Sequence, residues 1–150
     1  MPMPKSVTKY SKKNGVTFIS NVDRAQYTIQ ELVRAALKDV AKVIRARMLE
    51  KLKMLPGMKK SRRLYRSTQY WVRKRETDLV IGFKHDSWYG ALQELGSENK
   101  PRRNILRDTV QESISDIVAI QAKYLSAIDD EIEAMRLIDE EEAKGDATDI

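Results

Sequence analysis

The chain has 150 residues, with 28 Lys and Arg against 22 Asp and Glu, one His, no Cys and 41% hydrophobic content. That length predicts one domain with a core of moderate size, and the lack of cysteine excludes a disulfide framework, a thiolate metal site and a cysteine nucleophile. The formal charge of +6 hides a split, because residues 1–107 hold 25 basic and 9 acidic side chains, net +16, while residues 108–150 hold 3 and 13, net −10.

Residues 1–20 read as a basic arm, with Pro2, Pro4, Lys5, Lys9, Lys12 and Lys13 and little apolar content, closed by one short strand at Val16 to Ser20. The start lacks the apolar stretch of a signal peptide, and no run approaches the roughly 18 apolar residues of a membrane span. A soluble chain made in the cytoplasm, with no membrane partner, is expected. Thr28-Ile29-Gln30-Glu31 has the spacing of a capping box. From there Leu32, Val33, Ala36, Leu37, Val40, Ile44, Met48, Leu52 and Leu55 recur at three- and four-residue steps, the mark of a long amphipathic helix ended by Pro56-Gly57. Arg34, Lys38, Lys42 and Arg45 fall on its outer face, which is either solvated or turned to an acidic partner.

Residues 58–75 are the most basic stretch, with Lys59, Lys60, Arg62, Arg63 and Arg66 beside Tyr65, Tyr70 and Trp71. Thr68 to Arg75 and Leu79 to Phe83 are rich in β-formers and are joined by Glu76-Thr77-Asp78, which predicts a β-hairpin. An aromatic segment, Trp88 to Gly96, follows. Its Glu94-Leu95-Gly96 reads as a strand end, the glycine serving either a turn or an interface. Lys100-Pro101-Arg102-Arg103 forms a basic loop before the last element. There Leu106, Val110, Ile114, Ile117, Gln121, Leu125, Ile128, Ile132 and Met135 keep a three/four rhythm with no Pro or Gly from Arg107 to Lys144. An unbroken helix from Ile105 to about Ala143 would run roughly 55 to 60 Å, against a domain diameter of about 40 Å. It must therefore either project onto another subunit or break near Ser126 or Asp129 and fold back. Residues 129–150 read as an acidic helical extension and frayed tail on a domain spanning 21–128.

Little of this supports catalysis. His85 beside Asp86 is too few ligands for a metal site, no phosphate-cradling glycine motif or nucleophile elbow is present, and the carboxylate runs Asp129-Asp130-Glu131 and Glu140-Glu141-Glu142 point in several directions on a helix. No enzyme activity, cofactor or metal is expected. The basic stretch with its aromatic residues is composed like a nucleic-acid binder, but the +16 and −10 split favours self-assembly, the acidic helix of one subunit lying on the basic surface of the next.

Tyr89 to Ser97, followed by Pro101-Arg102-Arg103-Asn104-Ile105-Leu106-Arg107-Asp108-Thr109-Val110, resembles the tail-completion, or head-to-tail joining, family of tailed bacteriophages. Members have a long helix closed by proline, a Thr-Gly-x-Leu-x-x-Ser stretch opening a β-hairpin, an aromatic strand ending in an acidic residue, an apolar residue and Gly-Thr, and a helix starting Pro-Phe-Leu/Met-Arg-Pro-Ala. Here Pro56 and Ser61 to Ser67, with Leu64, stand in the earlier places, and the order of elements matches from about Thr28 to Leu125. Arg62 or Arg63 replaces glycine, Asn104-Ile105 replaces Pro-Phe, and Asp108 replaces the second proline.

The resemblance implies an α+β fold: a long N-terminal helix, a hairpin plus a further short strand in a small antiparallel sheet, and a long C-terminal helix. It also implies a structural role in the virion neck. There a homo-oligomeric, commonly hexameric, ring joins a connector or head-completion protein to a tail terminator or tail tube protein. Glu94, Gly96, Ile105, Leu106, Ile128, Ile132 and Met135 are the expected subunit or partner contacts. Lys59, Lys60, Arg62, Arg63 and Arg66 are candidates for an acidic partner or for non-specific contact with DNA in the channel. The alternative is a small basic nucleic-acid-binding protein.

Overall fold

The computed structural model describes residues 3–11, 14–56 and 64–145. The fold is α+β and is organised along one helix. α1 (Val22–Lys53) is 32 residues long, about 48 Å at 1.5 Å per residue, and the second hairpin, the 3-10 turn before it and the last three helices pack along it. It starts two turns before the expected capping box. Thr28 lies inside it and its hydroxyl donates to the Arg24 carbonyl at 3.0 Å, the back-bonding of a mid-helix threonine. The helix ends at Lys53, shortly before Pro56.

The expected basic arm contains a strand. β1 (Val7–Ser11) pairs antiparallel with β2 (Val16–Ser20) in a two-stranded sheet of its own. Val7, Val16, Phe18 and Ile19 are strand formers, and the sheet stays largely exposed. The further strand expected at 16–20 therefore does not join the second hairpin. That hairpin, β3 (Thr68–Arg73) with β4 (Asp78–Phe83), follows a single 3-10 turn at Leu64–Ser67. Its register sets Tyr70 opposite Ile81 and Arg73 opposite Asp78. The Arg73 guanidinium pairs with Asp78 and Glu76 across the turn, and the Asp78 carboxyl is held below its usual range by that hydrogen bond.

The segment expected to be an aromatic strand is instead helix α2 (Trp88–Leu95). Gly90 makes this possible, because a Cβ there would stand 2.9 Å from the Phe83 ring, so only a glycine lets the helix lie this close on β4. Ala91 to Leu95 are good helix formers, so the local preference and this packing agree.

The long terminal element breaks twice. α3 (Ile105–Glu112) and α4 (Ile114–Leu125) are separated by a bend at Ser113, a fully buried residue whose hydroxyl accepts from Arg47 Nη1 at 2.8 Å. After a turn at residues 126–130, α5 (Glu131–Ala143) runs back along α1. Asp130 caps it, its carboxylate accepting from the Ile132 and Glu133 amides at 2.9 and 3.3 Å. The projecting form of the last helix is thus excluded, and residues 129–145 are not an extension of the domain. Ala134, Leu137 and Ile138 of α5 share a core with Leu32 and Ala35 of α1 and with Tyr124 and Ala127. A second cluster, Met48, Leu52, Leu64 and Ile105, closes the other end of α1 and is flanked by Tyr65, Phe83, Tyr89 and Leu106.

Candidate functional site

The charge split resolves within the chain. The cations of α1 meet the carboxylates of the last three helices in order: Arg24 with Glu131, Lys38 and Lys42 with Glu141, Arg47 with Asp116, and Lys51 with Glu112. Glu141 is only 2% exposed, and its two oxygens lie 2.5 Å from Lys42 Nζ and 3.5 Å from Lys38 Nζ. Of the α1 face expected to be solvated or turned to a partner, Lys38 and Lys42 are therefore met by the chain's own α5, while Arg34 pairs with Glu31 of α1. Tyr124 adds a further tie, donating its hydroxyl to Asp39 at 2.5 Å. Burial, reinforced by this hydrogen bond, pushes the phenol well above its ordinary value.

An apolar surface is left uncovered beside this seam. Ile114, Val118, Gln121 and Leu125 of α4 recur at steps of four, three and four, the spacing that keeps one face of a helix turned the same way, and Ile128 in the following turn and Ile132 at the start of α5 are also exposed. α4 packs its other face, Ser113 and Tyr124, inward. The stripe stays exposed, with Leu125 at 67%, and Ile132 is at 83%. Residues 117–122, Ile-Val-Ala-Ile-Gln-Ala, carry no charge. Leu125 and Ile128 also form one wall of an apolar groove of about 160 Å³, whose other wall is Val33, Leu37 and Val40 of α1.

The remaining expected contacts divide. Ile105 is buried between α1 and the 3-10 turn, and Leu106 packs half-buried on the same cluster, so Ile105 is core and not a free contact. Met135 is half-buried against the α1–α5 core. Ile132 and, less fully, Ile128 face solvent.

Glu94 ends α2, and its two carboxylate oxygens accept from the Arg107 and Leu106 amides at 3.1 Å each. It thereby supplies the N-terminal cap that Asn104, with a left-handed φ of 49° and no side-chain bond, does not. Gly96 has a φ of +78°, and a Cβ on it would meet the Arg102 amide nitrogen at 2.9 Å. Glu94 and Gly96 together fasten the loop 96–104 between α2 and α3, a local role that accounts for the Glu-Leu-Gly motif without a partner.

Lys59, Lys60, Arg62 and Arg63 lie outside the described residues. Arg66 is exposed, with its guanidinium carbon 5.8 Å from the centre of the Tyr65 ring. His85 sits exposed in the turn after β4. Among the described residues no group of three or more His, Asp or Glu is placed to hold a metal ion, and no helix is long and apolar enough to cross a membrane. No protein-family model, curated protein or solved structure matches the chain.

Sequence periodicity carried Ile114, Gln121 and Leu125 of the α4 stripe but placed Ile117 in its seam, where the exposed face has Val118. The capping role of Glu94 was not readable, since its acceptors face amides 12 and 13 residues away.

Proposed function

We propose that the chain is a structural subunit of the tailed-bacteriophage neck, a tail-completion or head-to-tail joining protein that works by assembling into a ring and docking neighbouring virion proteins. The observation that carries this reading is the uncharged, exposed apolar stripe of α4, continuous with the groove on α1. A monomer gains nothing by exposing Val118, Leu125 and Ile128, whereas a second subunit would remove them from water at about 25 cal/mol per Å² of apolar area. The order long helix, hairpin, Glu-Leu-Gly segment, helix is that of the family the chain resembles. Five cations of α1 are paired with carboxylates of the last three helices inside the subunit, and the α4 stripe offers apolar packing to a neighbour.

Sedimentation velocity and electron microscopy test this reading. The chain is expected to form closed rings, alone or on a connector, head-completion, tail-terminator or tail-tube protein. A chain that stays monomeric with all of these, and enters no particle, would overturn it.

A further inference from the structure

The cations of this protein fall into two populations. Those along α1 as far as Lys51 each face a carboxylate of α3, α4 or α5, apart from Arg34, which pairs with Glu31, and Arg45. Lys53, one step further, faces none. Its Nζ lies 5.8 Å from the centre of the Tyr65 ring, the same distance as the Arg66 guanidinium carbon. Two like charges from the end of α1 and from the 3-10 turn thus converge on one ring, at most twice that distance apart. This is within or near a Debye length at physiological salt, so each charge senses the other. A cation–π contact at an exposed site returns only about 0.5 to 1 kcal/mol.

Neither cation makes an ion pair with a described carboxylate, Glu50 one turn before Lys53 included. Residues 54–65, which link Lys53 to Arg66, contain no Asp or Glu. Of the carboxylates at this end of the fold, Glu112 is paired with Lys51 and Glu94 is turned onto the amides of Leu106 and Arg107. Tyr65, Phe83 and Leu106 pack on one cluster, and the residues that directly follow each of them, Arg66, Lys84 and Arg107, are exposed and make no ion pair with a described carboxylate.

We propose that Lys53 and Arg66, bracketing Tyr65, form a sequence-independent contact for the phosphate backbone of nucleic acid. The ligand is a polymer because the cations stand on separate segments with no enclosing wall, which suits successive phosphates better than one small anion. The contact is to the backbone because Tyr65 is half-buried and therefore not free to insert between bases, and phosphate contacts carry no sequence information. The site stands on its own geometry and does not depend on the neck reading.

Fluorescence anisotropy with two duplexes of unrelated sequence, from 50 to 200 mM salt, tests it. Both duplexes should bind with equal affinity, and log K should fall linearly with log salt. Lys53→Gln with Arg66→Gln should reduce the magnitude of that slope by about two and weaken binding to both sequences alike. Lys53→Arg with Arg66→Lys should keep the slope, and Arg24→Gln with Arg136→Gln, an equal loss of charge at paired positions, should leave it nearly unchanged. Far-UV circular dichroism checks that each variant is folded. An equal loss in the Arg24/Arg136 variant would overturn the proposal, as would binding to polyglutamate or to anionic phosphatidylserine vesicles with none to DNA.

Discussion

The Glu94 carboxylate holds the Leu106 amide at 3.1 Å, and with its other oxygen the Arg107 amide. One side chain at the end of α2 therefore satisfies two of the four free donors at the start of α3 and places negative charge at the positive end of that helix. Replacing Glu94 with Ala should cost about 1 to 2 kcal/mol in urea denaturation, and Gln should cost less because it keeps one acceptor. Assembly, measured at a temperature where the variant is folded, should be unaffected. Loss of assembly with stability unchanged would instead return Glu94 to a partner-docking role.

Gly96 works in the same joint. Its φ of +78° and the 2.9 Å approach of the Arg102 nitrogen to a built Cβ leave no relaxed position for a side chain. Gly96→Ala should destabilise by about 1 to 3 kcal/mol, and hydrogen exchange should locate the loosening in residues 94–107 before the rest of the fold.

Tyr124 and Asp39 provide a pH-dependent tie. The folded phenol ionises well above the ordinary tyrosine value of about 10, first because it is buried and then because it donates to Asp39. The folded chain therefore keeps its proton where the unfolded chain has lost it. The contribution is complete below pH 10 and falls as pH rises beyond it, at up to about 1.4 kcal/mol per unit. Tyr124→Phe should lower stability by about 1 kcal/mol at neutral pH and flatten the decline above pH 10. The comparison of the two profiles isolates this group from the other tyrosines and lysines.

Glu141 is enclosed between Lys38 and Lys42 on the inner face of α5. Removing it leaves two partly buried ammonium groups facing each other, so Glu141→Ala should cost about 3 kcal/mol. Adding Lys42→Met should recover part of that loss. Equal costs in the single and double variants would mean that the carboxylate acts by volume alone.

What the sequence made legible was periodic or local. Steps of three and four mark α1 and the α4 stripe, Pro56 marks the end of α1, and alternating β-formers around Glu76-Thr77-Asp78 mark the hairpin. Trp88 and Tyr89 are strand-like, but Ala91 to Leu95 are helix formers, and Gly90 lets the resulting helix lie close on Phe83. The fold-back of α5 was one of two branches left open, yet Asp130-Glu131-Ile132-Glu133 has the pattern of a helix start within a run that reads as merely acidic. The pairing of α1 with Glu131 and Glu141 depends on that fold-back, while that with Glu112 and Asp116 depends on how α3 and α4 pack on α1, and neither has a local signature.

The α4 stripe separates assembly from folding. Val118 and Leu125 are exposed at 57% and 67%, so Val118→Glu or Leu125→Glu should change the stability of the monomer by no more than about 0.5 kcal/mol. Within a subunit contact the same carboxylate would be desolvated without a partner, at several kcal/mol. Each variant should therefore remain folded by circular dichroism and fail to form rings in sedimentation velocity. Ile132→Glu, on α5 beyond the turn, should show a smaller effect if the contact is centred on α4, and an equal one if it reaches α5. Rings that persist in both α4 variants would move the subunit contact elsewhere, and the exposed first hairpin, with Phe18 and Ile19, would be the next surface to alter.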